Sequence, residues 1–218
     1  MSRGIIIPAY NEARTIGAVV ASVRHAGTVI VVDDCSTDAT GALAEEQGAV
    51  VVRHRANRGY DGALQSGFER AAEIGLGFVV TFDADGQHSP TVLDAFFEPL
   101  ASGTAKLVLG IRPAPARLSE LLFSAYARAR FGIRDLLCGL KGYEMELFLR
   151  HGRFDGTRSI GTELALDCLR RGVATCTVDV PIFERSGSSR FGSSIRANAH
   201  ILRALALAVR GDLKPGNY

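Results

Sequence analysis

Short apolar segments rich in β-branched residues alternate along this chain with segments of helical length. Five of the apolar segments have the length and composition of strands: residues 5–7, 29–32, 50–52, 78–82 and 107–111. Each is a continuous apolar run, which is typical of strands that are buried on both faces of a parallel sheet. The pattern therefore predicts an α/β fold with a mostly parallel central sheet and helices on both faces.

Two segments in the second half of the chain have apolar residues at helical spacing. The apolar positions of the first are Leu118, Leu121, Leu122, Ala125 and Ala129. This spacing predicts a helix, and Gly132 is predicted to end it because glycine readily adopts the conformation that closes a helix.

The second helix is predicted over residues 195–210 and carries a narrow basic stripe. Its basic residues are Arg196, His200, Arg203 and Arg210. One interpretation is a helix that packs on the core and exposes a solvated basic face. The alternative is a helix that lies at an anionic membrane surface. The segment before it, residues 185–194, is rich in Gly, Ser and Arg and is predicted to be a mobile loop.

Length and composition describe one folded domain that spans residues 1–218. Hydrophobic residues make up 47% of the chain and charged residues 22%, as in ordinary globular proteins. The formal net charge is +2 and aromatic residues make up 7%. The chain therefore lacks the basic field and the stacking residues expected of a nucleic-acid-binding protein. Any site for an anion must be built locally.

The predicted compartment is the cytoplasm. The first apolar run begins too near Met1 to leave room for a signal peptide, and no apolar stretch approaches the roughly 18 residues of a membrane span. The four cysteines are Cys35, Cys138, Cys168 and Cys176. Because their spacing matches no paired metal-ligand pattern, they are expected to be reduced thiols.

Polar residues follow the predicted strands directly, in the segments 8–12, 33–38, 57–59 and 83–88. Ligands of parallel sheets bind beyond the carboxyl ends of the strands, where the topology reverses. We therefore expect these four segments to lie along one edge of the sheet and to form one site.

Asp83 and Asp85 stand two residues apart at the end of a predicted buried strand, and Gly86 permits a turn after them. Two ionised carboxylates this close repel each other unless a cation lies beside them. A hard ion, Mg²⁺ or Mn²⁺, held by these carboxylates and by substrate phosphates would meet that need, with Gln87 or His88 completing its ligands. The alternative is a solvated Asp-Gly turn without a metal.

A second acidic pair, Asp33 and Asp34, follows another apolar strand. A carboxylate at this position could accept hydrogen bonds from a ribose or from a base. Simple helix capping by Thr37 or Asp38 is the alternative. Together, the two acidic pairs suggest a nucleotide at one strand end and a metal-bound diphosphate at its neighbour.

The order of these motifs resembles that of the family 2 glycosyltransferases of GT-A fold. The matching segments are Pro-Ala-Tyr-Asn-Glu at 8–12, Val-Asp-Asp-x-Ser-x-Asp at 32–38, Asn-x-Gly at 57–59 and Asp-x-Asp-Gly-Gln-His at 83–88. Within that family the chain is most similar to polyprenyl-phosphate sugar synthases, such as dolichyl-phosphate mannose synthase. The resemblance extends from residue 5 to about residue 190.

The resemblance implies roles for the strand-end residues. Those implied to contact the nucleoside are Pro8, Tyr10, Glu12 and Asp34. Those implied to hold Mg²⁺ or Mn²⁺ on the diphosphate are Asp83, Asp85 and Gln87. The donor would be a GDP- or UDP-linked sugar.

The resemblance also implies an acceptor side. Arg112 resembles an arginine that faces the phosphates, and residues 135–139 resemble the acceptor-side segment Asp-x-x-Ser-Gly, with Cys138 in place of the serine. Arg185 and Arg190 lie in a segment that resembles a phosphate-binding loop but is one residue shorter.

Two further departures from the family pattern concern Asp61 and the membrane. Asp61 stands where the family has the last glycine of Asn-x-Gly-x-Gly. The carboxy-terminal membrane helices found in many relatives are absent, so docking to a lipid acceptor is expected to be peripheral, on the cytoplasmic face of the membrane.

The resemblance implies an inverting transfer of a sugar, with a polyprenyl phosphate as the expected acceptor. A phosphate acceptor is already ionised near neutral pH and needs no strong base. A hydroxyl acceptor would need one, and Asp135 and Glu163 are the candidates. Glu163 is equally well interpreted as an acid in the first turn of a helix.

Three other functions fit parts of the pattern. A phosphatase of the haloacid dehalogenase type also has Asp-x-Asp at a strand end, although there the motif usually opens the chain. The chain could also be a nucleotide-sugar-binding accessory protein without turnover. A nucleotidyltransferase is disfavoured because the expected Gly-rich loop near the first strand is missing.

Overall fold

The computed structural model describes residues 2–113, 117–181 and 194–213. The strands in these ranges are β1 Arg3–Ala9, β2 Thr28–Asp33, β3 Val50–Arg53, β4 Phe78–Thr81, β5 Leu107–Ile111, β6 Lys141–Glu144 and β7 Thr175–Asp179. The helices are α1 Ile16–Val23, α2 Thr40–Glu46, α3 Gly59–Glu73, α4 Leu93–Ser102, α5 Leu118–Phe131, α6 Met145–His151, α7 Glu163–Arg170 and α8 Ser194–Leu213. A short 3-10 turn at Pro90–Val92 precedes α4.

The strands form one sheet in the order β3-β2-β1-β4-β6-β5-β7. Only β6 runs antiparallel to its neighbours β4 and β5 among these strands. The mostly parallel sheet is therefore confirmed, and all five predicted strands form. The register pairs Ala9 of β1 with Asp33 of β2, and Ile6 of β1 with Thr81 of β4. The carboxyl ends of β1, β2 and β4 consequently meet at one edge, as predicted.

The core lies in two layers, one on each face of the sheet. Alternate residues of β1 enter opposite layers: Ile5 and Ile7 pack with α1 and α4, whereas Ile6 packs with α3. Both sets are fully buried. Burying such a side chain contributes about 1.5–3 kcal/mol. This two-sided burial is the physical reason for the continuous apolar runs, and it confirms the predicted helices on both faces.

The sequence did not predict β6 and β7. Strand β6 has the sequence Lys-Gly-Tyr-Glu, and β7 at the edge of the sheet is only partly buried. Neither forms an apolar run. Strand β6 is nevertheless buried because it inserts between β4 and β5, where its neighbours and not its own composition exclude water.

Helix α5 forms as predicted and ends at Gly132, which has a left-handed φ of 74°. Its buried residues include Phe123 and Ala127, whereas the leucines of its first turns face outward. Leu118, Leu121 and Leu122 are 73%, 51% and 48% exposed.

Helix α8 packs one face against the core and leaves three residues of its basic stripe in solvent. Its buried residues are Ala197, Ile201, Ala204 and Ala208, and the exposed residues include His200, Arg203 and Arg210. This geometry agrees with the interpretation as a core-packed helix, while contact with a membrane stays a prediction. The predicted loop at 185–194 lies almost wholly outside the described residues.

Within the described residues, no helix combines the length and the apolar character needed to cross a membrane.

Candidate active site

The carboxyl ends of the central strands open into a cavity of about 600 Å³. The predicted site residues that line it are Pro8, Tyr10, Glu12, Asp34, Asp83, Asp85, Gln87 and Arg112. These residues come from four separate strand ends. The structure therefore brings together the parts that the sequence predicted to converge.

The loop after β1 is fastened to the loop after β2 by backbone-to-side-chain hydrogen bonds. The N–H of Asn11 donates to Ser36 Oγ (2.9 Å), and the N–H of Glu12 donates to Thr40 Oγ1 (2.7 Å). Asp38 accepts from the N–H of Thr40 (3.0 Å), the first residue of α2, whereas the N-cap residue itself is Ala39. The backbones of both loops are thereby fixed while the Tyr10 side chain remains exposed at the mouth of the cavity.

Asp34 is buried and holds the start of α3. Its carboxylate accepts from the N–H groups of Arg58 and Gly59, both at 2.8 Å, and contacts His54 Nδ1 at 2.6 Å. Asn57 donates its side-chain N–H to the carbonyl of Asp34 (3.2 Å), which explains the Asn-x-Gly spacing. Since a carboxylate has about four acceptor positions, one remains for a ligand.

The turn after β4 directs Asp83, Asp85 and Gln87 toward the cavity. Gly86 is left-handed, with φ of 75°, so the turn forms where it was predicted. The Gln87 N–H donates to Asp85 Oδ1 (3.0 Å). His88 Nε2 lies 3.1 Å from Asp83 Oδ2, so this ring nitrogen is aimed at the carboxylate. Both Gln87 and His88 line the cavity, and the role of Gln87 as a metal ligand stays a prediction.

The residues at this turn fit a hard divalent ion that completes its ligands with substrate oxygens. In the part of the chain that the structure describes, no three His, Cys, Asp or Glu side chains are grouped closely enough to hold a metal ion by themselves. Two carboxylates and an amide at the rim of an open cavity are the kind of donor set that Mg²⁺ uses together with phosphate.

Arg112 lies opposite this turn, in a network of charged side chains. Its Nε and Nη2 contact the two carboxylate oxygens of Asp135 at 2.7 and 3.1 Å. Glu120 lies 3.5 Å from Arg112 and 3.0 Å from Arg117. Burial raises the pKa of Asp135, but the hydrogen bond and charge of Arg112 outweigh it and leave that pKa below its usual value. Asp135 is accordingly a weak proton acceptor that orients Arg112.

Glu163 lies outside the cavity, at the start of α7, where residues of the preceding loop bind its carboxylate. It accepts from the N–H groups of Gly156 (2.9 Å) and Thr157 (3.0 Å) and from Arg153 Nε (2.6 Å). Burial raises its pKa, but hydrogen bonds from His151, Thr157 and Arg153 prevail and lower it to about 2. The interpretation as a structural acid at the start of a helix fits this geometry better than a role as a base.

Asp61 lies in the first turn of α3, close to Asp155. Burial, and then the charge of Asp155, raise the pKa of Asp61 to about 6. The neighbouring loop carries Ile160 at a left-handed φ of 60°, which is strained for a β-branched residue. Ile160 lines the cavity, so this loop forms part of its wall.

A second cavity of about 500 Å³ lies on the other side of Arg112. Leu121, Ala125 and Ala129 of α5 form an apolar wall, and Arg128 and Arg134 also line it. Arg112 lines both cavities, so it stands where they meet.

Two predicted residues, Arg185 and Arg190, lie outside the described residues, and their contacts with phosphate stay predictions. Conversely, the sequence reasoning missed His54, Glu120 and Lys141. His54 directly follows β3, so the strand-end rule could have found it. Glu120 and Lys141 act through contacts made by folding, and no local signal marks them.

A family model described as "Glycosyl transferase family 2" matches residues 4–144. The chain is 32% identical over 198 residues to Glycosyltransferase AglJ of Haloferax volcanii, covering 85% of this chain and 64% of that protein. It is 32% identical over 219 residues to the polyprenol monophosphomannose synthase of Mycolicibacterium smegmatis, covering 88% of this chain and 82% of that protein. The chain thus spans a little under two thirds of the length of AglJ.

A solved structure shows the same fold. Glucosyl-3-phosphoglycerate synthase from Mycobacterium tuberculosis, crystallised with Mn²⁺ and uridine-diphosphate-glucose, matches with a TM-score of 0.79. The two sequences are 22% identical, and the match covers 99% of this chain and 80% of that chain. This likeness confirms the GT-A fold predicted from the sequence.

Proposed function

The chain belongs to glycosyl transferase family 2, and on this basis we propose that it transfers a sugar, with inversion, from a nucleoside diphosphate sugar to a polyprenyl phosphate. The observation that carries the proposal is the shared cavity of Asp34, Asp83, Asp85 and Arg112. Together these residues offer a carboxylate for the nucleoside, two carboxylates for a metal ion on the diphosphate, and an arginine for phosphate oxygens. The donor is GDP- or UDP-linked.

The donor lies across the loops after β1, β2 and β4, which we call the donor side. Tyr10 and Asp34 contact the nucleoside, and the diphosphate faces Asp83 and Asp85. A divalent ion bound at these two carboxylates, Mg²⁺ or Mn²⁺, would neutralise the charge that develops on the leaving diphosphate. The Mn²⁺ and uridine-diphosphate-glucose in the structurally similar synthase support this arrangement.

The acceptor oxygen attacks the anomeric carbon from the face opposite the diphosphate. The bond between that carbon and the diphosphate oxygen breaks, and its electron pair leaves with the diphosphate, so the configuration inverts. Arg112 offers a fixed positive charge to phosphate oxygens at this point. Asp135 holds the guanidinium in place through two hydrogen bonds.

A phosphate acceptor fits better than a hydroxyl acceptor. The two candidate bases, Asp135 and Glu163, are both engaged in ion pairs, and their pKa values are lowered. A carboxylate held in this way takes up a proton poorly near neutral pH. A phosphate acceptor needs no such base because it is already ionised.

The second cavity fits the start of an isoprenoid chain linked to phosphate. Its wall of Leu121, Ala125 and Ala129 is apolar, while Arg128 and Arg134 supply positive charge. We call this region, together with Arg112, the acceptor side. The name of the mycobacterial relative, a polyprenol monophosphomannose synthase, agrees with such an acceptor.

The exposed leucines of α5 make this helix a better membrane-docking element than α8. Leu118, Leu121 and Leu122 form a run of exposed leucines, of which Leu121 also lines the second cavity. On α8, Ile201 and the alanines are buried and only Leu202 and Val209 are exposed large apolar residues. Arginines in the last turn of α5 add the charge that draws a helix to an anionic surface. We place the protein peripherally at the cytoplasmic face of the membrane, with the basic stripe of α8 as a secondary contact.

The decisive experiment is a screen of UDP- and GDP-sugars with a short polyprenyl phosphate, in which both nucleoside diphosphate and lipid-linked sugar are measured. We expect both products to form in equal amounts. The matched control is the corresponding polyprenol, which lacks the phosphate. Transfer to the alcohol at the same rate would contradict the phosphate acceptor, and tight donor binding without turnover would indicate an accessory protein.

Removal of divalent ions tests the metal separately. EDTA should abolish transfer, and Mn²⁺ or Mg²⁺ should restore it, because the two carboxylates would otherwise face the diphosphate without a cation. Full activity in the chelator would remove the ion from the proposal.

A further inference from the structure

We infer that Lys141 and Thr81 are positioning residues for Asp83, because together they clamp the backbone on which the Asp83 carboxylate rests. The inference deepens the proposed function and rests on it, since Asp83 is there a ligand of the metal on the diphosphate. Neither residue lines the cavity or touches the space for substrate.

The clamp begins with a pair of opposed residues in the sheet. Thr81 on β4 faces Lys141 on the antiparallel strand β6. The backbone N–H of Lys141 donates to Thr81 Oγ1 (3.0 Å), and the Thr81 hydroxyl donates to the carbonyl of Gly139 (2.6 Å). One hydroxyl therefore links the end of β4 to the turn before β6, two residues away from Asp83.

Lys141 holds the same turn through its side chain. Its Nζ donates to the carbonyl of Cys138 (2.7 Å), and the residue is 3% exposed. The Lys141 and Thr81 side chains thus donate hydrogen bonds to two successive carbonyl groups, those of Cys138 and Gly139.

The ammonium group of Lys141 is surrounded by charged neighbours. Burial lowers the pKa of Lys141, and the carboxylates of Asp135 and Asp83 act in the opposite direction. The positive charge of Arg112 lowers the pKa of Lys141 as well, and Lys141 in turn lowers the pKa of Asp61. A methionine would fill the same space without the cost of burying a charge, so packing alone does not call for a lysine.

Gly139 lies in the turn before β6, and its backbone packs against the Asp83 carboxylate. A Cβ atom at residue 139 would lie 2.5 Å from Asp83 Oδ2 and 2.8 Å from Oδ1, closer than atoms can approach. The carboxylate therefore lies directly against the backbone of Gly139, with His88 Nε2 at 3.1 Å from Oδ2. Any shift of the turn must move Asp83, and metal sites require ligands held within about 0.5 Å.

The test measures Mn²⁺ binding to the protein in the presence of UDP, from the signal of free Mn²⁺ in electron paramagnetic resonance. Lys141→Met should weaken this binding on the order of 10- to 100-fold, the usual effect of removing a partner that orients a metal ligand. Thr81→Val should act in the same direction, and Thr81→Ser, which keeps the hydroxyl, should restore binding. UDP binding without metal should stay unchanged.

Lys106→Met is the matched control. Lys106 is an exposed lysine that also contacts β6, through an ion pair with Glu144 (2.8 Å), but at the far end of the strand. Its Mn²⁺ binding should equal that of the wild type. The Lys141→Met and Thr81→Val double variant should lose less than the product of the single losses, since both residues hold one turn.

Two outcomes would overturn the inference, and they are distinguishable. If the wild type binds Mn²⁺ with UDP and the folded Thr81→Val and Lys141→Met variants bind it equally well, the clamp does not position Asp83. If the wild type itself binds no Mn²⁺ in the presence of UDP and none in the presence of GDP, the proposed function fails and the inference fails with it. Should Lys141→Met not fold, the comparison of Thr81→Val with Thr81→Ser decides.

Discussion

On the donor side, polar side chains tie one strand-end loop to the next, whereas on the acceptor side, charged side chains pair with one another. Ser36 and Thr40 fix the loop after β1, and Asp34 fixes the start of α3. Across the cavity, Arg112 is held by Asp135 and Glu120. The first arrangement fixes backbones and leaves ligand-facing groups available. The second fixes the Arg112 guanidinium, so that a phosphate can bind it without rearrangement of the side chain.

For the proposed reaction, the difference teaches how two cavities that meet at Arg112 can serve two substrates. Contacts on the donor side are mostly between segments at successive ends of parallel strands, and the antiparallel strand β6 adds the support of Asp83. The acceptor side depends on α5 and on the segments that follow β5 and α5. We expect damage to the donor side to affect catalysis most, and damage to the acceptor side to affect the lipid substrate.

The largest effect should follow a change at the metal-binding turn. Asp85→Asn should lower turnover on the order of 100-fold or more, since it removes charge that balances the leaving diphosphate. The measurement is release of nucleoside diphosphate at saturating donor. Asp94→Asn is the control, because Asp94 is a highly exposed carboxylate on α4. Near-normal turnover of Asp85→Asn would contradict the metal role.

A somewhat smaller loss should follow Gly139→Ala, at the boundary between the two sides. The new methyl group would displace the Asp83 carboxylate and should lower the affinity for Mn²⁺ by about 10- to 100-fold. Calorimetric titration of Mn²⁺ in the presence of UDP measures this. Gly17→Ala in α1 is the control, since its Cβ would meet only Gln47 at 4.0 Å. Equal Mn²⁺ affinity in Gly139→Ala would show that the carboxylate tolerates the displacement.

A change confined to the acceptor side should affect membrane binding and leave donor chemistry intact. Replacing Leu118, Leu121 and Leu122 by Ser should reduce sedimentation with anionic vesicles by about tenfold, because it removes exposed apolar area. Leu149→Ser, at an exposed leucine of α6, is the control. Donor hydrolysis without lipid should be the same in all variants. Undiminished sedimentation of the triple variant would exclude α5 as the docking element.

The smallest effect on activity is expected at Glu163, outside both sides. The folded pKa of Glu163 is lowered to about 2 from an ordinary 4.5, so its stabilising contribution is present above pH 4.5 and is lost as the pH falls toward 2. Glu163→Gln should cost about 1 kcal/mol at neutral pH, after allowance for its partial exposure, and should flatten the acid limb of stability. Urea unfolding between pH 2 and 7 measures this. A large loss of transfer with unchanged stability would instead restore Glu163 as a base.

The sequence alone was sufficient to predict the convergence of the donor-side segments and the first five strands of the chain. Residues 83–88 and 33–38 each follow an apolar run, and in a parallel sheet such segments converge at one edge whatever the helices between them do. The turn at Gly86 was predictable for a similar reason, since its left-handed backbone is a local property of glycine.

Only the tertiary structure decided the charged contacts around Arg112 and the environment of Asp83. Lys141 and Glu120 carry no local signal, since their roles arise from partners that folding brings beside them. Likewise, the helical spacing of Leu118 and Leu121 predicted α5 but not that this face remains in solvent. Periodicity reports which residues share a face, whereas packing against the rest of the chain determines which face is buried and which charges meet.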